Sequence, residues 1–538
     1  MLKGTGKGLA FAVLALGVSS AFAKDVSQSG EQKDMRRVGH VDLQGRPSYQ
    51  PNFINYPDGR VIAFAGTHGG SKPNTLKPGN PVEFNGTMIV DITNPAHPVE
   101  KFHIPAPADG AQTQSERACL GSDLPKGIPG KVYLMRNVQT NTLSVSGYEV
   151  WDVTNVSNPT LVGQMRNLRN THKHWWECKT GLAYLPGSKA APRWRQGQSM
   201  MIVDWSDPAN PIYLRTHGLP GAQPSGTGPV PPSLHGAISA HEHPNAAGLL
   251  ARAANPQEDT IGNRIYGAWG VGDDGVLQVL NRRKLLPPPY GEWTGNPDDP
   301  TNEDLEKPQT SILWMSPDQG GHTSMPVFGL QPKSYGNFTE FKTRDIVLLA
   351  SESTADKCLE APHWSFIVDV TVENSITAPP GTRQPPAGWT GSVEQNKWQG
   401  PMVLSTMSVD PRAGEKYKRG NYCLRGARFG VHSSEENFRN PYYGRLSFIA
   451  YFTGGVRAWD IREPQAPAEV GFYVPESNAL TTADGYMTNN LEVDNRGYII
   501  AVDRNGAGMD ILELRGKAKK IGLGIEGGHG HDRDDDDD

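Results

Sequence analysis

Fifteen histidines are spread along this 538-residue chain, and several recur at comparable places. His172 and His174 stand in NTHKHWWE, His235 with His241 and His243 in SLHGAISAHEHP, His322 in GGHTSMP, and His432 in RFGVHSSEE. Imidazole ligates zinc, copper, iron and nickel, and nothing in the pattern selects among copper, iron and zinc. Rings converging from separate elements would build a metal site with open coordination positions. Carboxylates accompany the same stretches: Glu177, Glu242, Glu435 and Glu436. They would orient the rings, and Glu242 and Glu435 are the candidate bases. On an extended HEH segment His241 and His243 share one face and Glu242 points away; His172 and His174 share a face by the same rule.

Other side chains open comparable stretches: Gln50, Arg117, Arg428 and Asn489, the candidate channel and substrate contacts. Arg425, Arg428 and Arg504 would hold an anionic substrate or pair with Glu435, Glu436 and Asp503. Trp175, Trp176, Trp364 and Trp459 read as packing rather than as a substrate pocket. No GxSxG, P-loop, Rossmann fingerprint, EF-hand loop or CxxCH is present, which argues against serine esterase, nucleotide and c-type haem chemistry. The net charge of −5, with no basic stripe interleaved by aromatics, argues against nucleic acid as a partner.

The elements that must position these residues are announced by a repeated signature. MIVDITNPAHPV (Met88–Val99) recurs at Tyr148–Val162, Met201–Leu214 and Val456–Val470, with a diverged copy at Phe366–Ser375. An apolar β-branched run, an Asp, a polar turn with Pro and a second apolar run read as strand, tight turn, strand. Sixty-one Gly and 44 Pro suit such a turn-rich β chain. Units begin near Ser48, Ser115, Asn170, Ser233, Gly320, Arg428 and Tyr486. Seven strand-rich units around an axis predict an all-β propeller of four-stranded blades, residues 48–514, with long insertions such as Pro220–Ser233, Pro287–Asp304 and Ala378–Gly391. In a propeller the residues opening each unit face the central channel. The histidines are therefore expected to line it.

The (I/V)VD-x-(S/T)-(N/D)-P turn followed by a hydrophobic run resembles the LVIVD-repeat family of exported bacterial β-propellers. The match is strongest at Met88, Tyr148, Met201 and Val456 and weakest in the fourth unit. The resemblance implies the fold and no activity. Propellers of the selenium-binding and methanethiol oxidase type, which use metal-coordinating histidines, are an analogy for the site without an overall sequence match.

Residues 1–23 have the charged start, apolar centre and Ala-Phe-Ala end of a secretory signal peptide. Residues 24–47 read as a mobile polar segment and 515–538 as a polar, acidic tail; the periplasm or the medium is the expected location. No membrane span is expected after signal cleavage. Export permits disulfides, and four cysteines allow three pairings. Cys119–Cys178 and Cys358–Cys423 are favoured because each would join neighbouring units. The function expected is a metal-dependent enzyme, an oxidoreductase rather than a hydrolase, acting on a small molecule. The alternative is a non-catalytic module that recognises a protein or surface polymer through its loops.

Overall fold

A computed structural model describes residues 31–249, 259–272, 274–335, 343–360, 363–371, 373, 401–482 and 484–525. The expected signal peptide, the 378–391 insertion and the acidic end of the chain lie outside the described residues. Among the described residues the strands form seven four-stranded antiparallel units, so the protein is a β-propeller.

Blade 1 runs Ser48–Asn55, Val61–Thr67, Gly86–Asp91, Val99–Pro105 from the axis outward, and blade 2 runs Glu116–Leu120, Val132–Val138, Gly147–Asp152, Thr160–Arg166. Trp175–Trp176, Leu182–Lys189, Ser199–Asp204 and Ile212–His217 make blade 3. Blade 4, the unit without the Asp-Pro turn, has Leu234–Ser239, Arg264–Trp269, Val276–Asn281 and Gln309–Trp314. Thr323–Leu330, Arg344–Ala350, Ser365–Asp369 and Met402–Met407 form blade 5; Phe429–Ser434, Leu446–Phe452, Val456–Asp460 and Ala468–Val474 form blade 6. Blade 7 has Thr488–Val493, Ile499–Asp503 and Met509–Leu514, and its outermost strand is Met35–Val41 from the other end of the chain.

Second strands such as VIAFAGT (Val61–Thr67) and LSFIAYF (Leu446–Phe452) are buried along their whole length. Each is covered on both faces by neighbouring blades, so its sequence is a nearly unbroken apolar run rather than an alternation. The signature Asp does the work its position suggests. Its Oδ1 accepts the backbone N–H two residues on: Asp91 from Thr93 (3.0 Å), Asp152 from Thr154 (2.9 Å), Asp204 from Ser206 (2.9 Å), Asp369 from Thr371 (2.8 Å) and Asp460 from Arg462 (3.1 Å). Just before it, the ladder between third and fourth strands slips, at Ile89/Val90, Val150/Trp151, Ile202/Val203, Ile367/Val368 and Ala458/Trp459. Such bulges increase twist, which a radial stack of blades requires.

Two expected boundaries are corrected. The 24–47 stretch is not mobile from Glu31 onward: Glu31–Lys33 pairs with Phe472–Val474 at the rim of blade 6, and Met35–Val41 completes blade 7. Gln32, Lys33, Arg36 and Arg37 face solvent from outer strands, a composition that also suits a free polar segment. The tail begins later than 515, because Gly516–Leu523 is a helix that buries Ala518 and Ile521.

Both disulfides are formed, Cys119–Cys178 and Cys358–Cys423, with Cα–Cα separations of 5.5 and 5.4 Å. The first ties the innermost strand of blade 2 to the turn that follows the innermost strand of blade 3. The second ties the loop that follows the second strand of blade 5 to the segment leading into blade 6.

Candidate metal centre on the propeller axis

Where the chain runs into its innermost strands, several of those strands leave regular pairing. The register breaks at Ser48/Pro51 in blade 1, Leu234/Gly236 in blade 4, Phe429/Ser433 in blade 6 and Thr488/Leu491 in blade 7. A bulged residue is released from the period-two alternation and its side chain is re-aimed. Tyr49, His235, His432 and Asn489 all lie in these breaks, while His172 and His322 stand just ahead of their strands. This end of the channel is here called the upper face.

Four of the seven expected histidines meet there around the hydroxyl of Tyr49. That oxygen lies 3.3 Å from His172 Nε2, 3.2 Å from His235 Nε2 and 3.3 Å from His322 Nε2. His172 Nε2 and His235 Nε2 are 2.9 Å apart, and the His235 and His322 rings stack at 3.6 Å. His432 follows, its ring centroid 4.4 Å from that of His322 and 5.4 Å from Tyr49. The Glu352 carboxylate closes the set, with Oε2 3.5 Å from His322 Nε2 and Oε1 3.5 Å from His432 Nε2. His322, Glu352 and His432 thus form a buried two-histidine, one-carboxylate triad.

The hydrogen bonds on the far side of each ring define what the near side offers. His235 Nδ1 donates to the His322 carbonyl and His432 Nδ1 to the Asn489 carbonyl, both at 2.8 Å. A neutral ring that donates from Nδ1 carries a bare lone pair on Nε2. Burial, with the charges of Lys173 and Arg504 adding to it, pushes His172 down to about 3. Burial likewise holds His235, His322 and His432 well below the ordinary imidazole value. The rings are therefore neutral; the carbonyl contacts leave Nε2 of His235 and His432 as bare acceptors, and a proton on His172 Nε2 would lie between it and His235 Nε2. Tyr49 has one hydroxyl proton to give to three nitrogens. His432 Nε2 has no hydrogen-bond partner at all and faces a carboxylate oxygen. Bare acceptors opposed in a buried site repel, and a cation between them removes the repulsion.

Burial raises Glu352, but the guanidiniums of Arg504 and Arg428 act against the shift. Asn489 is the hub of the set. Besides the carbonyl that orients His432, its amide donates to the Tyr49 carbonyl at 2.8 Å and its Oδ1 accepts from Arg504 at 3.2 Å.

The other expected site residues lie elsewhere. The His174 ring packs edge-on against Tyr148. The HEH segment is not an extended strand, because Ala240–Glu242 is a single 3-10 turn. That bend sends His241 and His243 to a cavity of about 410 Å³ with Lys179 and Arg282. Glu242 instead lines a different cavity, of about 350 Å³, at the lower mouth of the channel, where burial raises it to about 7. Glu435 accepts the Phe448 backbone N–H at 2.8 Å. Gln50 and Arg117 both bind Glu436, which Lys173 also reaches, in a second polar layer of the channel. Arg425 pairs with Glu31 of the N-terminal strand at 3.0 Å.

Sequence reasoning passed over Tyr49, one residue from Gln50, because strict strand alternation lets only one of two neighbours face the axis and the bulge between Ser48 and Pro51 lets both. It also passed over Glu352, which stands in the RDIVLLASES segment after a second strand rather than at the start of a unit. The signal for it was one acidic residue two positions past a strand that ends in an apolar run.

Fold and site together define a seven-bladed β-propeller whose axis is filled at one end by imidazoles from four consecutive blades. The family model of the LVIVD repeat matches residues 82–104 and 195–216, in blade 1 and blade 3, so the chain carries LVIVD repeats. Among curated proteins none matches it in sequence. Solved structures similar to it include the β-propeller domain of Myceliophteria thermophila Cps50 (Swd1), at 10% identity over 89% of this chain and 98% of that one, TM-score 0.42. The WD40 repeats of RRP9 are similar at 12% identity over 90% and 98%, also at 0.42. Likeness at that level carries no argument, and the fold assignment here rests on the strand order.

Proposed function

We propose that this protein binds one transition-metal ion at the upper end of its channel and uses it as an oxidoreductase on a small molecule. The observation that carries the reading is the opposed set of acceptors: His432 Nε2, its Nδ1 proton committed to the Asn489 carbonyl, faces the Glu352 carboxylate and the other rings in a buried site. Ligating histidines commonly donate their second nitrogen to a backbone carbonyl, the arrangement His235 and His432 adopt. The donor types suit copper, iron or zinc. The two-histidine, one-carboxylate triad of His322, His432 and Glu352 is the combination used by non-haem iron oxygenases and also by zinc hydrolases, so the ion found decides between redox chemistry and hydrolysis. Export fits the two disulfides and the sequence of residues 1–23.

Elemental analysis of the protein purified from a periplasmic fraction, truncated after Ile525 so that the acidic end contributes nothing, tests the proposal. About one equivalent of copper, iron or zinc is the expected result. His322→Ala and His432→Ala should each lose it while retaining the wild-type thermal transition. A folded wild-type protein free of metal, even after incubation with each ion, would leave the non-catalytic binding module as the better account.

A further inference from the structure

Beside the histidines, two guanidiniums converge on one carboxylate. Arg428 Nη1 donates to Glu352 Oε1 at 3.0 Å and to the Ser353 carbonyl at 3.3 Å. Arg504 Nη1 stands 3.9 Å from the same carboxylate oxygen and donates to Asn489 Oδ1 at 3.2 Å. Both side chains are 22% exposed while Glu352 is 9% exposed, so the pair reaches solvent at the upper mouth and its partner does not. Only Nη1 of each arginine is used in these bonds; among the described residues Nε and Nη2 of both take no protein acceptor. Two further carboxylates stand near but bond neither guanidinium: Glu360 accepts from the Thr354 hydroxyl at 2.7 Å, and Asp356, whose backbone bridges to that of Arg428, acts on Arg504 only through space. Among the described residues the two guanidiniums thus share one carboxylate, Glu352, as their direct ion-pair partner.

We infer that Arg428 and Arg504 form the substrate subsite, and that the substrate carries a carboxylate, bound by the free edges of the two guanidiniums next to the histidines. A guanidinium edge presents parallel N–H groups that match the two oxygens of a carboxylate, and such paired bonds are stronger than neutral ones. Glu352 already shows that the pair accepts this group. When Glu352 turns to an ion held by His322 and His432, both arginines lose part of their compensation and the demand for a second carboxylate rises. The chemistry done on the substrate rests on the metal reading above. The binding itself does not.

The test uses acetate and its uncharged isostere acetamide as probes in saturation-transfer NMR, on the full chain as purified and again after dialysis against a chelator. Acetate should bind both preparations and acetamide neither. R428Q/R504Q should weaken acetate at least tenfold, and Arg428→Lys or Arg504→Lys, which keep charge but lose the fork, severalfold. If the double variant fails to fold, the two lysine variants decide the matter. Acetamide binding as well as acetate, or variants that bind acetate like wild type, would overturn the inference. Acetate binding by a protein that never takes up metal would sink the metal reading and leave the subsite standing.

Discussion

At the site, the position of one proton decides the chemistry. Were His432 to donate from Nε2 it would satisfy Glu352 and need nothing more. The Asn489 carbonyl commits that proton to Nδ1, and the lone pair is left against the carboxylate. Glu352→Gln should therefore weaken metal binding about tenfold or more in a competitive chelator titration, whereas Tyr49→Phe, which removes one hydroxyl and no nitrogen donor, should leave the metal content unchanged. A different residue sets the acid limit of the fold. Glu149 is buried, which raises it, but Arg136 (Nε to Oε2, 2.8 Å) and Arg166 outweigh burial and hold it down to about 2. A folded-state value below the unfolded one means the contribution is complete above about 4.5 and vanishes as pH falls toward 2. That contribution is of the order of 3 kcal/mol. Denaturant titrations at pH 7 and pH 3 should show the loss in wild type. Glu149→Gln, which strands the buried Arg136, should cost about 3–5 kcal/mol at pH 7 and much less at pH 3.

The elements that position the site depend on close approach between loop and strand. Gly430, two residues before His432, has a φ of +127° and lies against the loop that carries Glu352; an added Cβ would stand 1.9 Å from Ser353 Oγ. The Ser353 N–H in turn donates to the Val431 carbonyl at 2.9 Å, so strand and loop are docked at this point. Gly430→Ala would strain the backbone and push that loop away. The expected result is a folded protein with weakened metal binding, read by thermal unfolding alongside elemental analysis. The Cys358–Cys423 bridge fastens the same loop from its other end and closes 65 residues. In the chain-entropy account a loop of that length stabilises by about 4 kcal/mol. Replacing both cysteines by alanine should lower stability by up to that amount, measured by urea unfolding.

For the molecule as a whole, the two ends of the chain close the ring. Met35–Val41 supplies the last strand of blade 7, and Glu31 on the adjoining strand is bound by Arg419 and Arg425 from the segment before blade 6. Blades 6 and 7 flank the site with His432, Asn489 and Arg504, so closure at the rim bears on the axis. Deleting residues 31–41 removes that strand and exposes the edge Met509–Leu514. The unfolding transition should broaden in calorimetry, and the protein should self-associate in sedimentation through the uncovered edge. Retained monomeric, cooperative unfolding would show that closure at this strand is dispensable.

What the sequence alone determined is whatever local chemistry controls. The Asp–Pro turns, the unbroken apolar second strands, the repeat of strand-turn-strand and so the propeller were legible, because an Asp that bonds its own turn and a strand buried on both faces leave the same mark wherever they occur. The placement of His172, His235, His322 and His432 at the openings of their units was legible for the same reason. Only the tertiary structure decided the rest. Tyr49 reaches the histidines while Gln50 joins Glu436 in the layer below, since the bulge between Ser48 and Pro51 lets both side chains turn toward the channel. The HEH segment divides its residues between two cavities, since it turns where a strand was expected. Glu352 completes the triad and the N-terminal strand closes the ring, since both contacts join segments far apart in the chain. Pairings of that kind depend on the curvature of the ring, and no local pattern encodes it.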